Sequence, residues 1–212
     1  MFNSTLIENT KIEQLAIKYL HTKERNSYKK RKKNSAKKEF LASRFIIKAI
    51  VENTYHHNFK NLHLSFDHEF NVLRLFLNDV LLPLSLSISH SNGMVFVALC
   101  DEPIKLGVDL ENMHSDRDYK KLSLHFFNNE DNKIVAIDGK NAFYRIWTLK
   151  ESFCKLTNQS ILTSLKQPLK NQLSSLYAFS CQYNYYDISV LSDVSLLIKK
   201  IYYLNINELT EI

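Results

Sequence analysis

The chain has 212 residues, is 45% hydrophobic and 24% charged, and carries 28 basic against 22 acidic residues, which is the composition of a globular protein rather than a disordered or fibrous one. Its 3 glycines, Gly93, Gly107 and Gly139, exclude the dinucleotide-binding G-x-G-x-x-G turn and the Walker P-loop, since each needs several glycines within one turn. A bound phosphate would have to be held by side chains, a metal or helix ends. The 3 cysteines are too few and too scattered for a disulfide framework or a cysteine zinc site, and suggest a reducing compartment. No run of about 18 apolar residues suggests a membrane span. Met1 to Asn9 lacks the basic start of a secretory signal, so the expected location is the cytoplasm.

In chain order, Glu8 to Tyr19 places Ile12, Leu15, Ala16 and Tyr19 at helical spacing. From Lys18 to Lys48 the chain holds 12 basic and 2 acidic residues, whereas the other 181 residues hold 16 basic and 20 acidic ones. All of the positive excess therefore lies in one segment, densest at Lys29 to Lys33. Such a segment can be a solvated helical face, a nucleic-acid arm or a docking surface for another polyanion. Within it, Ser35 to Val51 predicts an amphipathic helix, with Phe40, Leu41, Phe45, Ile46, Ala49 and Ile50 toward a core and the basic residues on the other side. Asn71 to Leu77, Leu84 to Ser89 and Met94 to Cys100 read as strands, and Pro103 marks a turn. A strand at Leu106 to Glu111 is followed by helices at Asp116 to His125 and Asn141 to Thr157. Strands are expected at Tyr177 to Tyr183, Ile188 to Leu191 and Leu196 to Tyr203. The order implies an α+β protein of two halves, 1–104 and 105–212.

Three constellations carry chemistry. Ser87-Ile88-Ser89-His90-Ser91-Asn92-Gly93 puts hydroxyls and a histidine at a strand end before a glycine turn. It can hold a phosphate or be a plain polar turn. Adjacent strand residues point to opposite faces, so Ser89 and His90 are not placed to bond each other. In Gly107-Val108-Asp109-Leu110-Glu111 the two carboxylates share one strand face. Carboxylates side by side repel unless a cation or proton lies between them, and hard oxygens suit Mg²⁺; the other reading is an exposed strand with two solvated acids. In Trp147-Thr148-Leu149-Lys150-Glu151-Ser152-Phe153-Cys154-Lys155, a helix places Lys150 within the apolar stripe of Phe143, Ile146, Trp147 and Cys154, either snorkelling or aimed at an anion. Glu151 and Lys155 stand four apart, the spacing of an ordinary helical ion pair.

Taken in order, S-x-S-H-S-x-G, then G-V-D-L-E, then W-x-x-K-E-S-x-x-K resembles the 4'-phosphopantetheinyl transferase superfamily, and in length the larger, surfactin-type members. Phe126-Phe127-Asn128-Asn129-Glu130 and Phe40-Leu41-Ala42-Ser43-Arg44 are similar to further segments of that family. The resemblance implies a pseudo-dimer of two similar α+β halves with the active site at their interface. It implies a holo-[acyl-carrier-protein] synthase activity: Mg²⁺-dependent transfer of phosphopantetheine from coenzyme A to a serine of an acidic acyl or peptidyl carrier protein, releasing 3',5'-ADP. Carried over by position, Asp109, Glu111 and Glu151 would bind Mg²⁺. Glu151 would also act as base, and Lys150 and Lys155 would meet the pyrophosphate. Ser89 and His90 would hold the 3'-phosphate of coenzyme A, helped by Arg25, Lys38 and Arg44. A monomer is expected.

The chain departs from the family pattern in two places. Asn78 to Pro83 stands where the family has G-K-P, and Asn158-Gln159-Ser160 replaces the usual glycine-rich turn after the W-x-x-K-E motif. The alternatives are a basic nucleic-acid-binding protein without catalysis, and an inactive member that binds coenzyme A or a carrier. The nucleic-acid reading gives no reason for Asp109, Glu111, Lys150 and Glu151 to occur in this order.

Overall fold

Positive-φ asparagines punctuate the first half. Asn78 and Asp79 have φ of 50° and 66°, and Asn92 and Gly93 have φ of 46° and 82°. Each pair is the two-residue loop of a tight hairpin, whose twist requires φ above zero at both positions. The computed structural model describes residues 1–4, 10–56 and 59–195. These form two units, residues 1–103 and residues 104–195, and no helix among them is long and apolar enough to cross a membrane.

The first unit holds the helices α1 (Thr10–Lys18), α2 (Thr22–Lys29) and α3 (Asn34–Tyr55) and two antiparallel three-stranded sheets. One sheet is ordered β1-β6-β5, from β1 (Phe2–Asn3), β5 (Ser85–Ser91) and β6 (Met94–Cys100); the other is β2-β3-β4, from β2 (Leu62–Asp67), β3 (Val72–Leu77) and β4 (Val80–Leu81). The stretch Asn78 to Pro83 thus begins in the turn of the β3–β4 hairpin. α3 is buried on two sides. Phe40, Leu41, Ile46 and Ala49 pack with Ala16, Leu20 and Val95. Ile47 and Val51 pack with Leu62, Leu64, Leu75 and Leu86.

The basic residues of α3 are not all on the solvent side, which corrects the amphipathic expectation. Lys48 is buried because α2 delivers a buried carboxylate to it: Lys48 Nζ lies 2.5 Å from Glu24 Oε2. Glu24 also accepts from the backbone N–H groups of Leu64 and His21, both at 2.9 Å. One carboxylate thereby ties α2 to α3 and to β2. The Arg44 guanidinium stacks on the buried Phe40 ring at 4.1 Å, where burial lowers its pKa to about 10.

The second unit contains β7 (Leu106–Asn112), α4 (Tyr119–Phe126), α5 (Asn129–Thr157), α6 (Ile161–Lys166), α7 (Leu169–Gln172), β8 (Tyr177–Tyr183) and β9 (Tyr186–Ser192), with the sheet ordered β7-β9-β8. α5 begins 12 residues before the helix expected from the sequence, because Asn128 caps it by accepting from the N–H groups of Glu130 and Asp131. Gly139, at φ 71° and ψ −145°, then breaks it in a conformation open essentially to glycine alone. The strand expected at 196–203, and residues 8 and 9 of the first expected helix, lie outside the described residues.

Candidate active site

The site is built on one face of the β7–β9 pair. Gly107, Asp109 and Glu111 stand opposite Leu191, Ser189 and Asp187 across the antiparallel ladder, so all six share a face. α5 lies on it. A Cβ at residue 107 would come within 2.0 Å of the Ser152 carbonyl oxygen, so only glycine admits the helix at this depth. Buried hydroxyls fix the helix in place: Thr148 donates to Asp187 Oδ1 at 3.0 Å, and Ser152 Oγ donates to the Ser189 carbonyl at 3.3 Å. That leaves Glu151 and Lys155 of α5 over the middle of β7.

β7 is not an exposed strand. Asp109 is 2% exposed and pairs with Lys155, Nζ to Oδ1 at 2.8 Å; the same ammonium donates to the Val108 carbonyl at 2.9 Å. Lys155 thus takes a carboxylate on the neighbouring strand. Glu111 pairs with Arg117 at 3.1 Å. Glu151 accepts from the indole N–H of Trp147 at 3.0 Å. Burial first, and then the negative charges of Asp109 and Glu111, push the Glu151 carboxyl up to about 7, against the opposing pull of Lys155 and the indole. The three carboxylates therefore feel one another, and their hard oxygens are of the type that suits Mg²⁺. Among the described residues no group of three or more His, Cys, Asp or Glu side chains is gathered to hold a metal ion as it stands. Each of the three carboxylates has a protein donor on at least one of its oxygens.

Lys150 belongs to a different cluster. It is fully buried and points away from Asp109, into the packing of α5 against α6. Its ammonium lies 2.9 Å from Asp131 Oδ2 and donates to the carbonyls of Ser164 (3.1 Å), Leu165 and Gln167. The anion that this in-stripe lysine faces is Asp131, four residues beyond the Phe127 whose ring it also overlies at 5.8 Å. In this structure the Lys150 ammonium is directed to groups inside the fold, whereas the sequence expectation directs it to a pyrophosphate. Glu130 of the F-F-x-x-E segment is exposed and pairs with Lys170 at 2.7 Å.

In the first unit, β5 alternates as a strand must. Ser89 is buried and His90 is exposed on the other face, where its Nδ1 lies 3.1 Å from Glu39 Oε2. The strand therefore does not present Ser89 and His90 together. Arg25 is exposed, with Nε donating to the Leu20 carbonyl at 3.1 Å; Lys38 is half-buried on α3; Arg44 and Arg31 both lie over the Phe40 ring.

Four residues escaped the sequence reading. Asp131 on α5 and Arg117 in the loop before α4 were hidden because nothing local marks a charged residue as buried or paired. Glu39 reaches His90 only because α3 lies beside the β5–β6 hairpin. Asp187, fully buried opposite Glu111 with its carboxyl pushed up by burial, could have been caught: it directly precedes the expected strand Ile188 to Leu191.

Residues 105–190 match the model of the 4'-phosphopantetheinyl transferase superfamily, a stretch that lies wholly in the second unit and contains Asp109, Glu111, Glu151 and Lys155. A protein of Synechocystis sp. that bears the name putative 4'-phosphopantetheinyl transferase is 29% identical over 97 residues, 44% of this chain. The aligned stretch spans 39% of that relative's length.

Proposed function

We propose that this protein transfers the 4'-phosphopantetheine group of coenzyme A to a serine of an apo carrier protein. The observation that carries the reading is the meeting of Asp109, Glu111, Glu151 and Lys155 on one strand and one facing helix, inside the segment that matches the transferase superfamily. In this reaction the serine Oγ forms a bond to the β-phosphorus, the bond from that phosphorus to the bridging oxygen breaks, and 3',5'-ADP leaves with the bridging oxygen. The serine proton goes to Glu151, directly or through water. Lys155, which is 31% exposed at its side chain, releases Asp109 to meet the charge that develops on the leaving phosphate. Asp109, Glu111 and Glu151 would hold Mg²⁺, which would supply charge neutralisation at the pyrophosphate. Lys150 has no part in this chemistry beyond the helix it anchors.

The reading gives the basic segment a purpose, since carrier proteins are acidic and a basic surface raises encounter rates in a salt-dependent way. The test is to incubate the protein with coenzyme A, Mg²⁺ and several apo carrier proteins and to weigh each carrier intact. A gain of one phosphopantetheine supports the reading. No gain on any carrier, with coenzyme A still bound, supports an inactive coenzyme A-binding protein.

A further inference from the structure

The chain has a single tryptophan, and it stands one helical turn before Glu151. Its ring is held by Phe143, with centroids 5.6 Å apart, and by Phe126 edge-on at 6.1 Å and Phe127 at 6.2 Å. Phe127 and Phe143 are themselves buried. An indole has one donor and no acceptor, and here that donor is aimed at Glu151 Oε1 at 3.0 Å. A tryptophan in this place does more than fill the core: the aromatic cluster fixes the ring, and the ring fixes one oxygen of the carboxylate.

We infer that Trp147 is the positioning residue for Glu151: the indole N–H holds Oε1 in place and leaves Oε2 as the oxygen presented to the cation and the acceptor serine. The inference rests on the functional reading above for what Oε2 meets, but the contact itself does not depend on it. A phenylalanine at 147 would keep the aromatic packing and lose only the donor. Glu151 would then have to be ordered at the moment of binding, which weakens the cation's hold and leaves coenzyme A recognition by other residues untouched.

Because there is one tryptophan, a nitrogen–proton correlation spectrum of uniformly ¹⁵N-labelled protein contains one indole resonance, with no assignment needed. In the wild-type protein without metal, that resonance is expected downfield and slow to exchange with solvent. In Glu151→Gln it is expected to move upfield and exchange faster, since a neutral acceptor replaces a partly ionised one. The exposed Glu130→Gln control leaves it in place. An indole resonance that is the same in wild type and Glu151→Gln overturns the contact and with it the inference. In the transfer assay, Trp147→Phe is expected to raise the Mg²⁺ concentration for half-maximal rate about three- to tenfold while the KM for coenzyme A stays within about twofold. An unchanged Mg²⁺ requirement in folded Trp147→Phe overturns the positioning role. If Trp147→Phe does not fold, the Glu151→Gln spectrum decides alone. If the wild-type protein transfers nothing to any carrier, the functional reading fails, and the indole resonance still decides whether Trp147 holds Glu151.

Discussion

Gly107 lies directly beneath Ser152: a methyl group on the strand residue would sit 2.0 Å from the helix residue's carbonyl oxygen. That oxygen belongs to backbone, which cannot rotate aside as a side chain can. Gly107→Ala must therefore lift α5 off β7. We expect a loss of roughly 2–4 kcal/mol of stability, at the upper end for overpacking, measured by urea unfolding. Lifting the helix also separates Lys155 from Asp109, so the folded fraction should transfer poorly. A variant with wild-type stability would show that the helix does not rest on Gly107.

Asp109→Ala removes the most buried of the three carboxylates and the partner of Lys155. Transfer to a carrier protein is expected to fall at least about a hundredfold, the size of a lost charge-stabilising group in a desolvated site. Stability should change much less, because the deletion also relieves Glu151 of a repelling neighbour. Full activity by intact-mass assay would remove Asp109 from the site.

Glu151 gives the fold a pH dependence of definite sign. Its carboxyl has a pKa near 7 in the folded protein against an ordinary 4.5, so the folded state binds the proton more tightly than the unfolded chain. The contribution is complete below pH 4.5 and is lost as pH rises through 7, and the most it can amount to is about 3 kcal/mol. Glu151→Gln cannot ionise. It should melt roughly 4–8 °C above wild type at pH 8 and close to it at pH 5, while transferring little or nothing. Equal melting temperatures at pH 8 would mean that the carboxylates are not crowded.

Lys150 and Asp131 form a buried pair whose separation should be costly. Lys150→Met leaves a buried carboxylate without its cation and is expected to lose about 3–5 kcal/mol. Adding Asp131→Asn should restore part of that, since the two residues are in contact. In the rescued double variant the KM for coenzyme A should lie within about twofold of wild type. A large rise in KM at retained stability would return Lys150 to the pyrophosphate.

The Glu24–Lys48 pair makes a parallel case in the first unit. Glu24→Gln should lose about 3–5 kcal/mol by stranding Lys48, whereas Glu24→Leu with Lys48→Met together should be less damaging than either change alone. The measurement is thermal unfolding followed by circular dichroism. A harmless Glu24→Gln would show that α2 is not held by this carboxylate.

Much of the architecture is legible in the residues. The strands at Val72–Leu77 and Ser85–Ser91 fall where alternation puts them, and the strand at Met94–Cys100 where a short apolar run does, because side-chain period and hydrophobicity are local properties. The spacing of Gly107, Asp109 and Glu111 on β7, and of Trp147, Glu151 and Lys155 on α5, likewise follows from the repeat of a strand and of a helix. Short or polar elements were less legible: α2, with the sequence Thr22 to Lys29, has no apolar stripe, and its buried residue is the charged Glu24.

By itself, then, the sequence determined which residues are chemically able to serve in a site and which neighbours share a face, since both depend on identity and on local geometry. Only the tertiary structure decided where each charge is neutralised. Lys150 and Lys155 lie five residues apart on one helix, so they leave it in different directions; one is buried on Asp131 and the other reaches Asp109. The desolvation that raises Glu151, the glycine that admits α5, and the indole that holds Oε1 all come from residues brought together by packing. An ion pair is selected by distance and burial, and neither is written in the order of the residues.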